Sequence, residues 1–81
     1  MDVRDGVVSP PPADVEVSVG ERLRVVVTSD APDEVHVHGV DVTGPVGPAT
    51  PFEASVVPDR TGVFEVELHV SGALLFQLLV R

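Results

Sequence analysis

From Phe64 to Val70 apolar and polar residues alternate without a break: Phe64, Val66, Leu68 and Val70 against Glu65, Glu67 and His69. Period-2 patterning turns one face of an extended chain toward a core and the other toward solvent, which a helix of period 3.6 cannot do. The same alternation runs through Val15, Val17 and Val19, through Leu23, Val25 and Val27, and through Phe52, Ala54 and Val56. Twenty of the 81 residues are Val, whose β-branched side chain is stiff at χ1 and suits a pleated surface. The chain is expected to be all-β.

Breaks rich in turn formers separate the runs: Gly20-Glu21, Ser29-Asp30-Ala31-Pro32-Asp33, Pro58-Asp59-Arg60-Thr61-Gly62 and Ser71-Gly72. Val15–Val19 and Leu23–Thr28 read as a hairpin or as neighbouring strands of two packed sheets. A strand is expected over 34–40. Residues 41–50 carry Gly44, Pro45, Gly47 and Pro48 and read as a long loop. The last strand, 73–80, presents Leu74, Phe76, Leu78 and Val80 on one face, with Leu75 and Leu79 on the other. That suits a central strand or one covered by a partner, so either a monomer or a weak dimer fits. Residues 1–13 read as a peripheral piece: a short edge strand within 3–8, then a stiff Pro10-Pro11-Pro12 crossover. Six or seven strands in a single domain, 1–81, point to a Greek-key β-sandwich.

Composition removes several functions. Five Lys+Arg against thirteen Asp+Glu give a net charge of -8, which disfavours nucleic acid and anionic membrane surfaces. Absence of cysteine excludes disulfides, zinc fingers and thiolate chemistry. No apolar run approaches a membrane span of about 20 residues. Ser and His occur in no nucleophile motif, and no glycine-rich loop is placed to hold phosphate. An enzyme is not expected. No signal peptide or lipidation motif is found within the chain.

One cluster carries chemistry: Asp33-Glu34-Val35-His36-Val37-His38-Gly39-Val40-Asp41. Two histidines two residues apart on a strand share a face, with Cα atoms about 6–7 Å apart. Two imidazoles at that spacing can converge on one ion, and Glu34 and Asp41 offer carboxylates nearby. Imidazole with carboxylate suits Cu(II), Zn(II) or Ni(II). His69 is an optional third ligand, provided its strand neighbours that of His36 with matched parity. The alternative is two polar residues on a solvated sheet face.

The run through Gly20, Leu23, Val25, Val27 and Thr28-Ser29-Asp30, followed by Asp33-Glu34-Val35-His36-Val37-His38-Gly39, Phe52, Pro58 and Gly62-Val63-Phe64-Glu65-Val66, resembles the cupredoxin-like domains. More narrowly it is similar to short bacterial cupredoxin-like proteins, widespread in actinobacteria and often secreted or lipid-anchored. The likeness covers about Val15 to Val80. It implies a Greek-key sandwich, a link to copper and an extracytoplasmic setting. It also places His36 at the first copper-ligand position and Leu68 where a blue-copper cysteine would stand. The loop that carries the remaining ligands has shrunk to Ser71-Gly72, with no Met and no His after His69. A blue-copper centre is therefore not implied. Two readings stay open: a cysteine-free site for copper or another divalent metal at His36 and His38, or a metal-free structural or protein-interaction module. The two lines of reasoning also conflict. Alternation puts Val35 and Val37 inside and both histidines outside, whereas the resemblance turns His36 inward with Leu68.

Overall fold

In the computed structural model, which describes residues 1–81, the alternating segments form nine strands and no helix. They are β1 (Asp2–Arg4), β2 (Val7–Ser9), β3 (Asp14–Val17), β4 (Leu23–Ser29), β5 (Asp33–Val37), β6 (Val42–Val46), β7 (Phe52–Val56), β8 (Gly62–Leu68) and β9 (Leu74–Val80). One sheet has the order β2-β1-β4-β7 and the other β3-β9-β8-β5-β6. The two pack face to face as a β-sandwich. β1–β2, β5–β6 and β8–β9 are antiparallel neighbours in sequence, while β1 runs parallel to β4 and β3 parallel to β9. After β5 and β6 the chain crosses to β7 and returns as β8 beside β5, which is a Greek-key link. This is the two-sheet β-sandwich expected from the sequence, with nine strands in place of six or seven.

The core is built from the inward residues of both sheets. Val27, Val35, Val37, Val66, Leu75 and Leu78 are completely buried, and Val25, Phe52, Val56, Leu68, Phe76 and Val80 nearly so. Each such side chain contributes about 1.5–3 kcal/mol on burial. With no disulfide, this apolar cluster holds the fold together.

Several boundaries differ from the sequence expectation. Of the two readings of the runs 15–19 and 23–28, the hairpin fails and the placement in two packed sheets holds: β3 and β4 belong to opposite sheets. The N-terminal piece is more than a peripheral edge strand. β1 and β2 form a hairpin through Asp5-Gly6, whose φ values of 53° and 77° suit a primed two-residue turn. β1 then lies inside its sheet, with Val3 in the core. Residues 41–50 are not wholly loop, because β6 pairs with β5 over Val42–Val46. Pro45 is tolerated there because β6 is an edge strand, with a ladder on one side only. Gly44 is needed there too: a Cβ would lie 2.8 Å from the Phe52 ring. β8 ends at Leu68, and Val70 stands exposed in the turn. Finally, a bulge accounts for one of the two extra apolar residues of β9, Leu75, while Leu79 stays half-buried beside Glu16 and Val63. Val66 pairs with Phe76 and Glu67 with Leu74, so Leu75 is the extra residue and joins Phe76 in the core.

Candidate metal site

β5 and β8 are antiparallel neighbours, and their register decides where every polar side chain goes. Val35 lies opposite Leu68, His36 opposite Glu67 and Val37 opposite Val66. Val35, Val37, Val66 and Leu68 are all buried, so this parity faces the core. His36 and Glu67 consequently share the outer face. The inward placement of His36 implied by the resemblance is corrected here. Four apolar side chains claim the inner parity, and an imidazole there would need a buried partner that the core does not supply. Leu68, where the resemblance implies a cysteine, sits on the opposite face from both histidines.

His38 follows the end of β5 and extends the ladder by one step, its amide donating to the Glu65 carbonyl at 3.1 Å. The two imidazole rings lie with centroids 3.9 Å apart and planes tilted by 35°. Glu67 reaches diagonally across the strands, its Oε1 lying 2.8 Å from His38 Nε2. An ionised carboxylate only accepts, so the Nε2–H of His38 is the donor. His36, His38 and Glu67 each offer a ligand atom, and the three atoms all lie within 4.8 Å of one another. Their side chains are 22%, 41% and 28% exposed, so the cluster is half-sheltered on an open sheet face.

The remaining candidates divide by distance. Asp41 Oδ1 is 3.5 Å from His36 Nε2, brought back by the turn at 38–41, and its side chain is almost fully exposed. It stands ready as a further donor. Glu34 and His69 lie toward the other end of the β5–β8 pair. There the His69 amide donates to the Glu34 carbonyl at 2.7 Å. Neither side chain belongs to the donor cluster. His69 continues the parity of Glu67, but one step further along the strand, beyond the end of β8. Glu67 is the ligand candidate that sequence reasoning passed over. Its position on one face with Glu65 and His69 was legible, but only the His36–Glu67 register singles it out.

Local packing fixes the end of the site. Gly39 has φ +88°, and a Cβ there would lie 2.6 Å from Phe64 Cδ1, so the Phe64 ring packs directly on the backbone after His38. Arg60 Nη2 donates to the Gly39 carbonyl at 3.1 Å. At the start of β5, Asp33 accepts from the Val70 amide at 2.8 Å and the Ser71 amide at 3.2 Å, tying the β8–β9 turn to β5. Burial would raise the Asp33 pKa. Amide donation from Glu34 and Val70, with hydrogen bonds from Ser71, outweighs it and holds the carboxyl below its ordinary value.

Fold and site together define a small β-sandwich with a His/His/Glu donor cluster on one outer face. No family model matches the sequence, and no curated protein matches it. The chain is similar in structure to one from a heme-copper terminal oxidase dimer determined by cryo-EM, with a TM-score of 0.73 at 21% sequence identity. The match covers 100% of this chain and 60% of that one, so the chain spans less than two thirds of its neighbour's length. At this identity the shared property is the fold.

Proposed function

We propose that this is a non-enzymatic cupredoxin-like domain that binds a divalent metal ion, copper first, through His36, His38 and Glu67. The observation that carries the reading is the convergence of three donor atoms within 4.8 Å from two adjacent strands. Two imidazoles and a carboxylate suit Cu(II), Zn(II) or Ni(II), with Asp41 or water completing the coordination. Leu68 at the cysteine position removes the thiolate that a blue-copper centre requires, so the role is binding or delivery rather than electron transfer. The fold shared with a chain of a heme-copper terminal oxidase supports both the copper preference and a protein partner. An extracytoplasmic or cell-surface setting belongs to the same reading.

A second reading keeps the sandwich metal-free as a protein-interaction module. It is favoured by the His38–Glu67 hydrogen bond, which satisfies the pair without an ion. Calorimetric titration with Cu(II) and Zn(II), with NMR of the imidazole protons, separates the two. The metal-binding reading expects stoichiometric uptake, loss or shift of the His36 and His38 signals, and a melting temperature raised by metal. An unchanged spectrum and melting temperature at one equivalent of either metal would overturn it in favour of the module.

A further inference from the structure

We infer that the His36/His38/Glu67 cluster discriminates between oxidation states of copper, holding Cu(II) and releasing the ion when it is reduced to Cu(I). The inference rests on the proposed copper-binding reading and assigns its regulation.

The donor chemistry points this way first. Nitrogen and carboxylate oxygen in a tetragonal set suit Cu(II), whereas Cu(I) is held by soft thiolate and thioether sulfur. The chain has no cysteine and a single methionine. Met1 packs against the core beside the other sheet, its amino group donating to the Val26 carbonyl at 2.9 Å. No sulfur is available on the face that carries the cluster.

Charge acts in the same direction. Glu67 is within the cluster, Asp41 is 3.5 Å from His36, and Glu65 lies opposite His38 on the neighbouring strand. Removing one unit of positive charge from the ion weakens its attraction to all of these carboxylates at once.

The metal-free site is also self-sufficient. His38 and Glu67 close on each other at 2.8 Å, and no buried side-chain nitrogen or oxygen is left without a partner. Losing the ion thus leaves no orphaned polar group to resist departure. The cluster lies on an open face, where an acceptor can approach the ion directly.

The release step balances with one named co-reactant. A one-electron donor is oxidised by one electron as Cu(II) becomes Cu(I). The metal–nitrogen and metal–oxygen bonds break with both electrons of each staying on the ligand. His38 stays neutral: its ring proton, on Nδ1 while Nε2 is occupied, exchanges through water to Nε2 with no net proton gained, and Nε2–H donates again to Glu67. Cu(I) leaves to a sulfur-bearing acceptor or, in a test, to a Cu(I) chelator.

The test uses the full chain loaded with one equivalent of Cu(II). Uptake is first established by electron paramagnetic resonance. Ascorbate is then added with the Cu(I) chelator bathocuproine disulfonate, and transfer is followed optically. Cu(I) affinity, measured by competition, is expected to be weaker than Cu(II) affinity by roughly two orders of magnitude. A Glu67→Met variant, checked for folding by circular dichroism, is expected to regain Cu(I) through its thioether and slow the transfer. Cu(I) bound as tightly as Cu(II) overturns the oxidation-state selectivity while leaving metal binding intact. Absence of Cu(II) uptake at the outset overturns the binding reading and this inference with it.

Discussion

Glu67 Oε1 lies 2.8 Å from His38 Nε2 although Glu67 is the register partner of His36, so one carboxylate hydrogen-bonds the diagonal imidazole and keeps a donor atom within 4.8 Å of the other. The diagonal reach makes Glu67 the hinge of the cluster. Its removal should separate metal binding from stability. A half-exposed pair of this kind is worth about 0–1 kcal/mol to the fold. Glu67→Gln is thus expected to unfold within about 1 kcal/mol of the parent in urea, while losing about 10–100-fold in Cu(II) or Zn(II) affinity by calorimetry. If affinity is unchanged, the two histidines bind without it.

Leu68 gives a second prediction, because the resemblance implies a cysteine at this position whereas the side chain faces the core beside Val35. Restoring the cysteine is not expected to restore the centre. Leu68→Cys would bury a thiol on the side of the sheet opposite His36 and His38. Addition of Cu(II) is expected to give no intense visible charge-transfer band. Leu68→Ala is expected to cost about 2–5 kcal/mol, as for other large-to-small changes in a packed core. An intense band in the cysteine variant would show that the register of β5 and β8 is wrong.

The same residues mark how far the sequence reaches. Alternation through Phe64, Val66 and Leu68 gave the inner face of β8 directly, and Val35 and Val37 gave that of β5. His36 and His38 followed as outer-face residues, and this local rule held where the family likeness turned His36 inward. Glu67 was less accessible. Its place beside His38 depends on a pairing between strands separated by β6 and β7, and no periodicity within one strand specifies that register. β6 was hidden because Gly44 and Pro45 look like loop residues. They are accommodated by the Phe52 ring and by the free side of an edge strand, neither visible locally. Leu75 was misplaced by one residue of bulge, which reverses side-chain direction without altering the sequence pattern.

Gly39 links the core to the site and supports a third prediction. Its φ of +88° disfavours any L side chain, and a Cβ would meet the Phe64 ring at 2.6 Å. In Gly39→Ala either the ring or the backbone after His38 must move. Strain at such positions costs about 1–3 kcal/mol. The variant is expected to be less stable by that amount and also to bind metal more weakly, because His38 is displaced. Gly72→Ala is the control: its φ is +77° but nothing lies within 4 Å of its Cβ position. It is expected to lose stability from backbone strain and keep the parent metal affinity. Equal affinity in the Gly39 variant would show that the packing behind His38 does not position it.

Asp33 provides a pH-dependent prediction away from the metal cluster. Its carboxylate accepts from the amides of Glu34, Val70 and Ser71, and binds β5 to the β8–β9 turn. Burial works against ionisation, but the backbone and side-chain hydrogen bonds prevail, and the folded-state pKa lies below the ordinary value of 3.8. A carboxyl whose pKa is lower folded than unfolded stabilises the protein above the unfolded pKa. That contribution is lost as pH falls through the unfolded value toward the folded one. Asp33→Ala is expected to lose about 1 kcal/mol at pH 7, because hydrogen bonds to a carboxylate this exposed are weakened by solvent screening. Urea denaturation of parent and variant in parallel, from pH 7 down to about pH 2, cancels the contribution of the other carboxylates common to both. The gap should hold constant down to about pH 5 and narrow below it. A gap that stays level to the acid limit would mean that the Asp33 charge does not hold the turn, and that its carboxyl acts only as a neutral acceptor.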